Sequence, residues 1–171
     1  MVDAKGRVRP ELKQLFSHPA NFFSFGFGAG LIPVAPGTFG TLAAIPLYLL
    51  LQYLPVTAYA LVLIAAFLVG VYLCGVTAKQ LNCHDHPAIV WDEIVGYWLT
   101  MVCAPEHWVW IVLGFVFFRL FDIVKPWPIR WFDRHVHGGF GIMLDDVVAA
   151  IFALLALQGS YWLHLNFLIG T

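Results

Sequence analysis

Five carboxylates set in three apolar stretches are the residues of this 171-residue chain whose types and spacing could do chemistry. Asp92 and Glu93 interrupt the run IVWDEIVG at 89–96, Asp122 follows Arg119, and Asp145 and Asp146 form a pair after Leu144. An acid entering an apolar helix is costly unless a cation, a partner or water compensates it. Acids that converge from several helices would make an oxygen-rich donor set, which favours magnesium or manganese over zinc. His84 and His86 flank the acids' side of the chain in a polar link and read as surface residues rather than ligands.

Each acid also has a plainer reading. Asp92 and Glu93 lie about 100° apart on a helix, so only one points straight at a shared site. Both would serve as favourable charges at a helix amino end, although Ile89, Val90 and Trp91 already precede them. Asp145 and Asp146 fall where a helix is expected to begin, and carboxylates belong there. Asp122 is the most informative. It lies near the carboxyl end of its span, where the helix dipole disfavours an anion. An intrahelical pair with Arg119 or Lys125, each three residues away, is the alternative. Exposed pairs of that kind contribute little, so they do not account for an acid there.

Cations and glycines accompany these acids. Arg119 and Lys125 bracket Asp122 and are expected to hold a phosphate against the metal, while Arg130 and Arg134 are placed nearer the lipid headgroups. Anionic-lipid anchoring is the plainer role for all four. The turns APGT at 35–38, with Gly37 and Thr38, and GGFG at 138–141 could offer backbone N–H groups to phosphate or be ordinary turns. Acids, cations and phosphate-sized cradles at one membrane face point to chemistry on a lipid phosphate. Walker, cysteine-phosphatase, aspartyl-phosphate and histidine-phosphatase motifs are all missing, which leaves metal-assisted hydrolysis as the simplest enzymatic class. A small transporter or ion pathway uses intramembrane acids equally well, and a non-catalytic lipid-binding scaffold is a third reading.

The elements that must position these residues are membrane helices. The chain is 61% hydrophobic and 11% charged, with mean hydropathy +0.82, far from a soluble domain at about 25% charged. One compact all-α polytopic domain over 1–171 is predicted, with no nucleic-acid partner and an open oligomeric state. Cys74, Cys83 and Cys103 form no metal or disulfide pattern. Residues 1–19 are predicted to be a solvated basic arm, retained because no small-x-small cleavage site follows. Residues 22–41 carry too much glycine and proline for one helix, and read as re-entrant or interfacial, broken near 33–41. A helix capped by Thr38 or Thr41 then runs to Leu54. With that helix as the first, further spans are predicted over 56–78, 88–104, 108–124 and from about Asp145 to Phe167, about four to five in all, in addition to the Gly/Pro-rich segment. Lys79, Lys125, Arg130 and Arg134 then share a side with Lys5, Arg7, Arg9 and Lys13, opposite Glu106. This is the positive-inside signal, and it puts the acids at the cytoplasmic face. Asp85 falls on that face too and is assigned to substrate binding.

Four stretches carry a family resemblance: PVAPGTFGTLAAIP (33–46), HDHPAIVWDEIVG (84–96), FRLFDIVKPWPIRWFD (118–133) and GGFGIMLDDVVA (138–149). In order, and across most of the chain, they resemble the phosphatidylglycerophosphatase A family, with no departure at the acids. The resemblance implies an all-helical, magnesium-dependent enzyme of the bacterial inner membrane. It would hydrolyse phosphatidylglycerophosphate to phosphatidylglycerol and phosphate on the cytoplasmic leaflet. The residues themselves make Asp92, Glu93, Asp122, Asp145 and Asp146 the expected catalytic and metal-binding set, with Asp92, Asp122 and one of Asp145 and Asp146 as direct ligands and Glu93 as a ligand or a base that orients water.

Overall fold

The computed structural model describes residues 10–83 and 86–169, and every regular element among them is helical. Asp85, His84 and the basic residues of the first nine positions lie outside the described residues. The helices are α1 (Leu12–Leu15), α2 (Pro19–Ser24), α3 (Pro36–Leu51), α4 (Val56–Gln80), α5 (Trp91–Thr100), α6 (Trp108–Val124), α7 (Ile129–His135) and α8 (Gly138–Ile169), with a 3-10 turn over Gly26–Leu31.

Local chemistry sets most of these boundaries. His18 accepts from the Ala20 N–H and Pro19 fills the first position of α2, where its missing N–H costs nothing. His107 caps α6 in the same way, accepting from the Val109 N–H at 3.3 Å. Lys125 closes α6 in the left-handed region at φ 44°, and Pro126 behind it cannot continue the helix. The break expected near 33–41 is present, but its cap differs from the prediction. Ala35, at φ 48°, is the N-cap of α3 and Pro36 its first residue. Thr41, offered as a cap, lies inside the helix and donates to the Gly37 carbonyl at 2.9 Å.

Three further boundaries differ from the sequence reading. The arm is not wholly solvated: Leu15 is buried against Phe25 and Ala88. The predicted span over 88–104 contains only the ten helical residues of α5, about 15 Å of rise. The link over 125–143 is mostly helix, holding α7 and the first turns of α8. Asp145 and Asp146 therefore lie seven and eight residues inside α8 rather than at its start, which removes the capping explanation for them. The glycines at 138–141 allow this early start. A Cβ on Gly139 would collide with the Val71 carbonyl of α4, so this glycine serves close helix packing and not a phosphate cradle.

α8 is the spine, packed against α4, α5, α6 and α7, while α3 closes over α5. The core is continuous from Ala44 and Tyr48 through Trp91, Ile94, Tyr97, Trp98, Met101 and Phe118 to Ala153 and Leu157. Two helices, α4 and α8, are long and apolar enough to cross a membrane. Only 22% of the apolar window of α4 is buried within the chain, leaving Leu61, Ile64, Leu68 and Tyr72 outward. An apolar surface of that extent marks a lipid or partner contact.

Candidate active site

At the end of the bundle where α3 and α5 begin and α6 finishes, a cavity of about 380 Å³ opens. α3 contributes Pro36 and Gly37, α5 Asp92 and Glu93, α6 Arg119, Asp122 and Ile123, and α8 Asp145 and Asp146. Ala35, Pro87, Ile89 and Lys125 complete its wall. All five acids singled out from the sequence thus meet in one place. Arg119, Lys125 and Gly37 join them.

Within the cavity the acids divide. Asp92, Glu93 and Asp146 each offer an oxygen within 4.8 Å of the others. Asp122 and Asp145 instead face cations. Arg119 Nη1 lies 2.5 Å from Asp122 Oδ2 and 3.7 Å from Glu93 Oε1. Lys125 Nζ donates to Asp145 Oδ2 at 2.5 Å and to Asp133 Oδ1 at 2.7 Å. The Arg119–Asp122 pair is the intrahelical alternative considered above, but it is not the exposed kind: its side chains are only 14% and 12% exposed. Burial alone would lower the Lys125 pKa, but the Asp145 charge and the hydrogen bonds to Asp133 and Asp145 outweigh it. The net shift is upward, so the ammonium is secure at neutral pH.

The polar groups left over identify what the site lacks. Asp92 Oδ1, Glu93 Oε2 and Asp146 Oδ2 are buried without a hydrogen-bond partner, as are Arg119 Nε and Nη1. Nη1 touches Asp122 without hydrogen-bond alignment. Buried carboxylate oxygens are costly when unpartnered. Three of them converging with no nitrogen or sulfur donor fit a hard divalent cation. Among the described residues this is the one group of acidic, histidine or cysteine side chains gathered closely enough to hold a metal ion. The orphaned guanidinium donors beside it fit an anion.

Gly37 is what lets α3 close on this pair. A Cβ there would collide with Glu93 Oε1 and lie 3.1 Å from both terminal nitrogens of Arg119. Thr38 does not line the cavity, and its N–H already donates to the Ala35 carbonyl at 3.0 Å. Arg130 also stands outside, exposed in a neighbouring groove with Arg134. Sequence reasoning gave no role to Asp133, which shares Lys125 with Asp145. The one signal was its place eight residues beyond Lys125, across a proline-rich turn whose path the sequence does not reveal. Pro87 and Ile89, which also line the cavity, have no role in the sequence analysis.

Comparison with known proteins gives the chain its family. The family model described as Phosphatidylglycerophosphatase A matches residues 22–161. A curated relative of that name from Escherichia coli (strain K12) is 50% identical over 162 residues, covering 93% of this chain and 91% of its own. Another, from Haemophilus influenzae (strain ATCC 51907 / DSM 11121 / KW20 / Rd), is 45% identical over 149 residues, covering 85% and 91%. No solved structure matches the chain. With the match running through all four helices that build the cavity, the chain belongs to the phosphatidylglycerophosphatase A family.

Proposed function

We propose that this chain is a phosphatase that hydrolyses the phosphomonoester of phosphatidylglycerophosphate, releasing phosphatidylglycerol and inorganic phosphate in phospholipid synthesis. The observation that carries the reading is the set of orphaned carboxylate oxygens beside orphaned arginine donors, in a chain half identical to a protein of that name. Asp92, Glu93 and Asp146 would hold the cation, with magnesium the expected ion. When bound, it supplies charge neutralisation and polarisation of a phosphoryl oxygen. Arg119 is placed to bind the phosphate through Nε, while Asp122, in ion-pair contact with Nη1, keeps that guanidinium oriented. Lys125, held by Asp145 and Asp133, also lines this cavity and would stabilise the departing glycerol oxygen with its ammonium. Water supplies the hydroxyl that phosphorus gains and, in net, the proton that the glycerol oxygen takes as its bond to phosphorus breaks.

The reading includes a setting. We place the chain as one membrane-embedded domain of four to five spans in the bacterial inner membrane, with the cavity toward the cytoplasm. Lys79, Lys125, Arg130 and Arg134 gather at the cavity end, and Glu106 belongs to the opposite end beside Tyr48, Gln52 and Met101. That asymmetry supports the orientation. Labelling single cysteines at His107→Cys and Val136→Cys from outside intact cells tests it, and reaction at 136 but not 107 would reverse it. A transport pathway gains no such support, because Ile94, Tyr97, Met101 and Phe118 fill the bundle interior beyond the acids. The decisive assay is phosphate release from phosphatidylglycerophosphate by the purified protein in detergent. Release that stops with chelator and returns with magnesium is expected. No release under any metal condition would reject the activity.

A further inference from the structure

A second groove, of about 350 Å³, opens beside the carboxylate cavity, and Lys125 stands in the wall of both. Trp127, Arg130, Trp131 and Arg134 line it, from the turn after α6 and from α7. The chemistry proposed above uses none of these four.

The two sites differ in how their cations are paired. Arg119 faces Glu93 and Asp122, and Lys125 faces Asp133 and Asp145. Arg130 and Arg134 have no carboxylate partner among the described residues, and no acid lines their groove. Arg130 makes one long contact, 3.4 Å, to the Val124 carbonyl, which leaves most of its five N–H donors available. Around these guanidinium groups the surface is apolar and open. Trp127 is 82% exposed and Trp131 48%, with Trp131 stacked on His135 at 4.7 Å between ring centroids. Ile123 and Val124 project beside them. Guanidinium groups among indoles and aliphatic chains suit an anion attached to apolar matter, at the depth where headgroups meet acyl chains.

The substrate named under the proposed function carries two phosphates. One is the terminal monoester; the other is the diester joining its glycerol to the diacylglycerol. A single three-carbon glycerol separates them, so a monoester in the carboxylate cavity leaves the diester at that cavity's mouth. We infer that Arg130 and Arg134, framed by Trp127 and Trp131, bind the diester phosphate of the same lipid molecule, with Lys125 between the two phosphates. The inference rests on the proposed function and makes α7 the element that selects a lipid with two phosphates over other phosphomonoesters. It has a further consequence. The diester survives hydrolysis, so the product lipid retains affinity for this groove after its monoester is gone.

Binding tests this without relying on turnover. Short-chain phosphatidylglycerol, which has only the diester, and inorganic phosphate, which resembles only the monoester, are titrated calorimetrically into the full-length protein in neutral detergent with magnesium. Arg130→Gln combined with Arg134→Gln should weaken phosphatidylglycerol binding on the order of tenfold or more, the scale of losing a charge-assisted hydrogen bond. Inorganic phosphate affinity should change by less than about twofold, because the altered groups lie beyond hydrogen-bond reach of the cavity. The single changes, both on exposed residues, should each give part of the effect if the double variant melts early. Octanoate, a single-chain anion without phosphate, separates diester recognition from plain attraction of negative amphiphiles. Unchanged phosphatidylglycerol affinity, or equal weakening for phosphatidylglycerol and octanoate, would overturn the inference. A wild type that binds the lipid in this way yet releases no phosphate would instead overturn the proposed activity and leave the diester site standing.

Discussion

Two polar neighbourhoods lie a few helical turns apart in this bundle, and they treat their hydrogen bonds differently. In the middle, Tyr59 donates to the Trp98 carbonyl at 2.7 Å, Trp98 to the Ala44 carbonyl at 3.1 Å and Tyr97 to the Ile111 carbonyl at 3.1 Å. Each ties one helix or turn to another and leaves no donor stranded. At the α3 end, three carboxylate oxygens and Arg119 Nε are buried without a hydrogen-bond partner, and Arg119 Nη1 meets Asp122 only as an ion pair. Both regions draw on α5, so the difference is not one of local sequence quality. Around Tyr59, Tyr97 and Trp98, where helices are held together, the fold satisfies its polar groups; at the cavity, where a ligand is to arrive, it leaves several unsatisfied. Substitutions in the two regions should therefore move stability and activity separately.

The largest effect is expected at the orphaned acids. Asp92→Asn, Glu93→Gln or Asp146→Asn should each reduce phosphate release on the order of a hundredfold or more. The melting temperature in detergent should hold or rise, because each change replaces a buried carboxylate that has an unpartnered oxygen by a neutral group. Magnesium should raise the melting temperature of the wild type by binding the native state, and each variant should lose much of that rise. A variant that melts early and still responds fully to magnesium would place these acids in the structural class.

Arg119→Lys comes next. A lysine cannot span Glu93 and Asp122 while presenting two further donors, so turnover should fall on the order of a hundredfold even though the charge is kept. Retained turnover would mean that Arg119 only neutralises its neighbours. Gly37→Ala should follow, with activity down on the order of tenfold, since misplacing a catalytic group by about 1 Å can cost more. The displaced atoms are those of Glu93 and Arg119, so a normal response of melting temperature to magnesium would show that Glu93 had not moved.

Asp133→Asn should be milder. Its carboxylate shares Lys125 with Asp145 and is 34% exposed, and half-exposed pairs contribute little, so a fall in turnover of no more than about fivefold is expected. A loss matching Arg119→Lys would move Asp133 into the catalytic set. The smallest effect on turnover is expected from Tyr59→Phe, in the satisfied interior. It removes the α4–α5 tie but leaves the Trp98 carbonyl with the Met101 N–H at 3.2 Å, so it should cost only about 1 kcal/mol of stability, with turnover per folded molecule unchanged. If turnover dropped while melting stayed constant, the contrast between the two regions would fail.

Much of this protein was legible from its residues because long apolar helices are written in local terms. An apolar run such as Trp108–Val124 must satisfy its backbone within itself, so its bounds follow from composition, with His107 to cap it and Pro126 to stop it. The five acids stood out because a carboxylate in apolar surroundings needs a reason. What composition could not give was contact between distant segments. That Asp145 and Asp146 lie inside α8 depends on Gly139 packing against the Val71 carbonyl, a contact across 68 positions of sequence. That Gly37 faces Glu93 and Arg119, that Lys125 turns toward both Asp133 and Asp145, and that Arg130 opens onto a separate groove are likewise decided by how helices cross and pack. The sequence alone determined which residues were too costly to be incidental, since transfer free energy belongs to each side chain wherever it sits. Only the tertiary structure decided which acids cluster with open oxygens and which are neutralised by cations, because that depends on separations of a few ångströms between helices far apart in the chain.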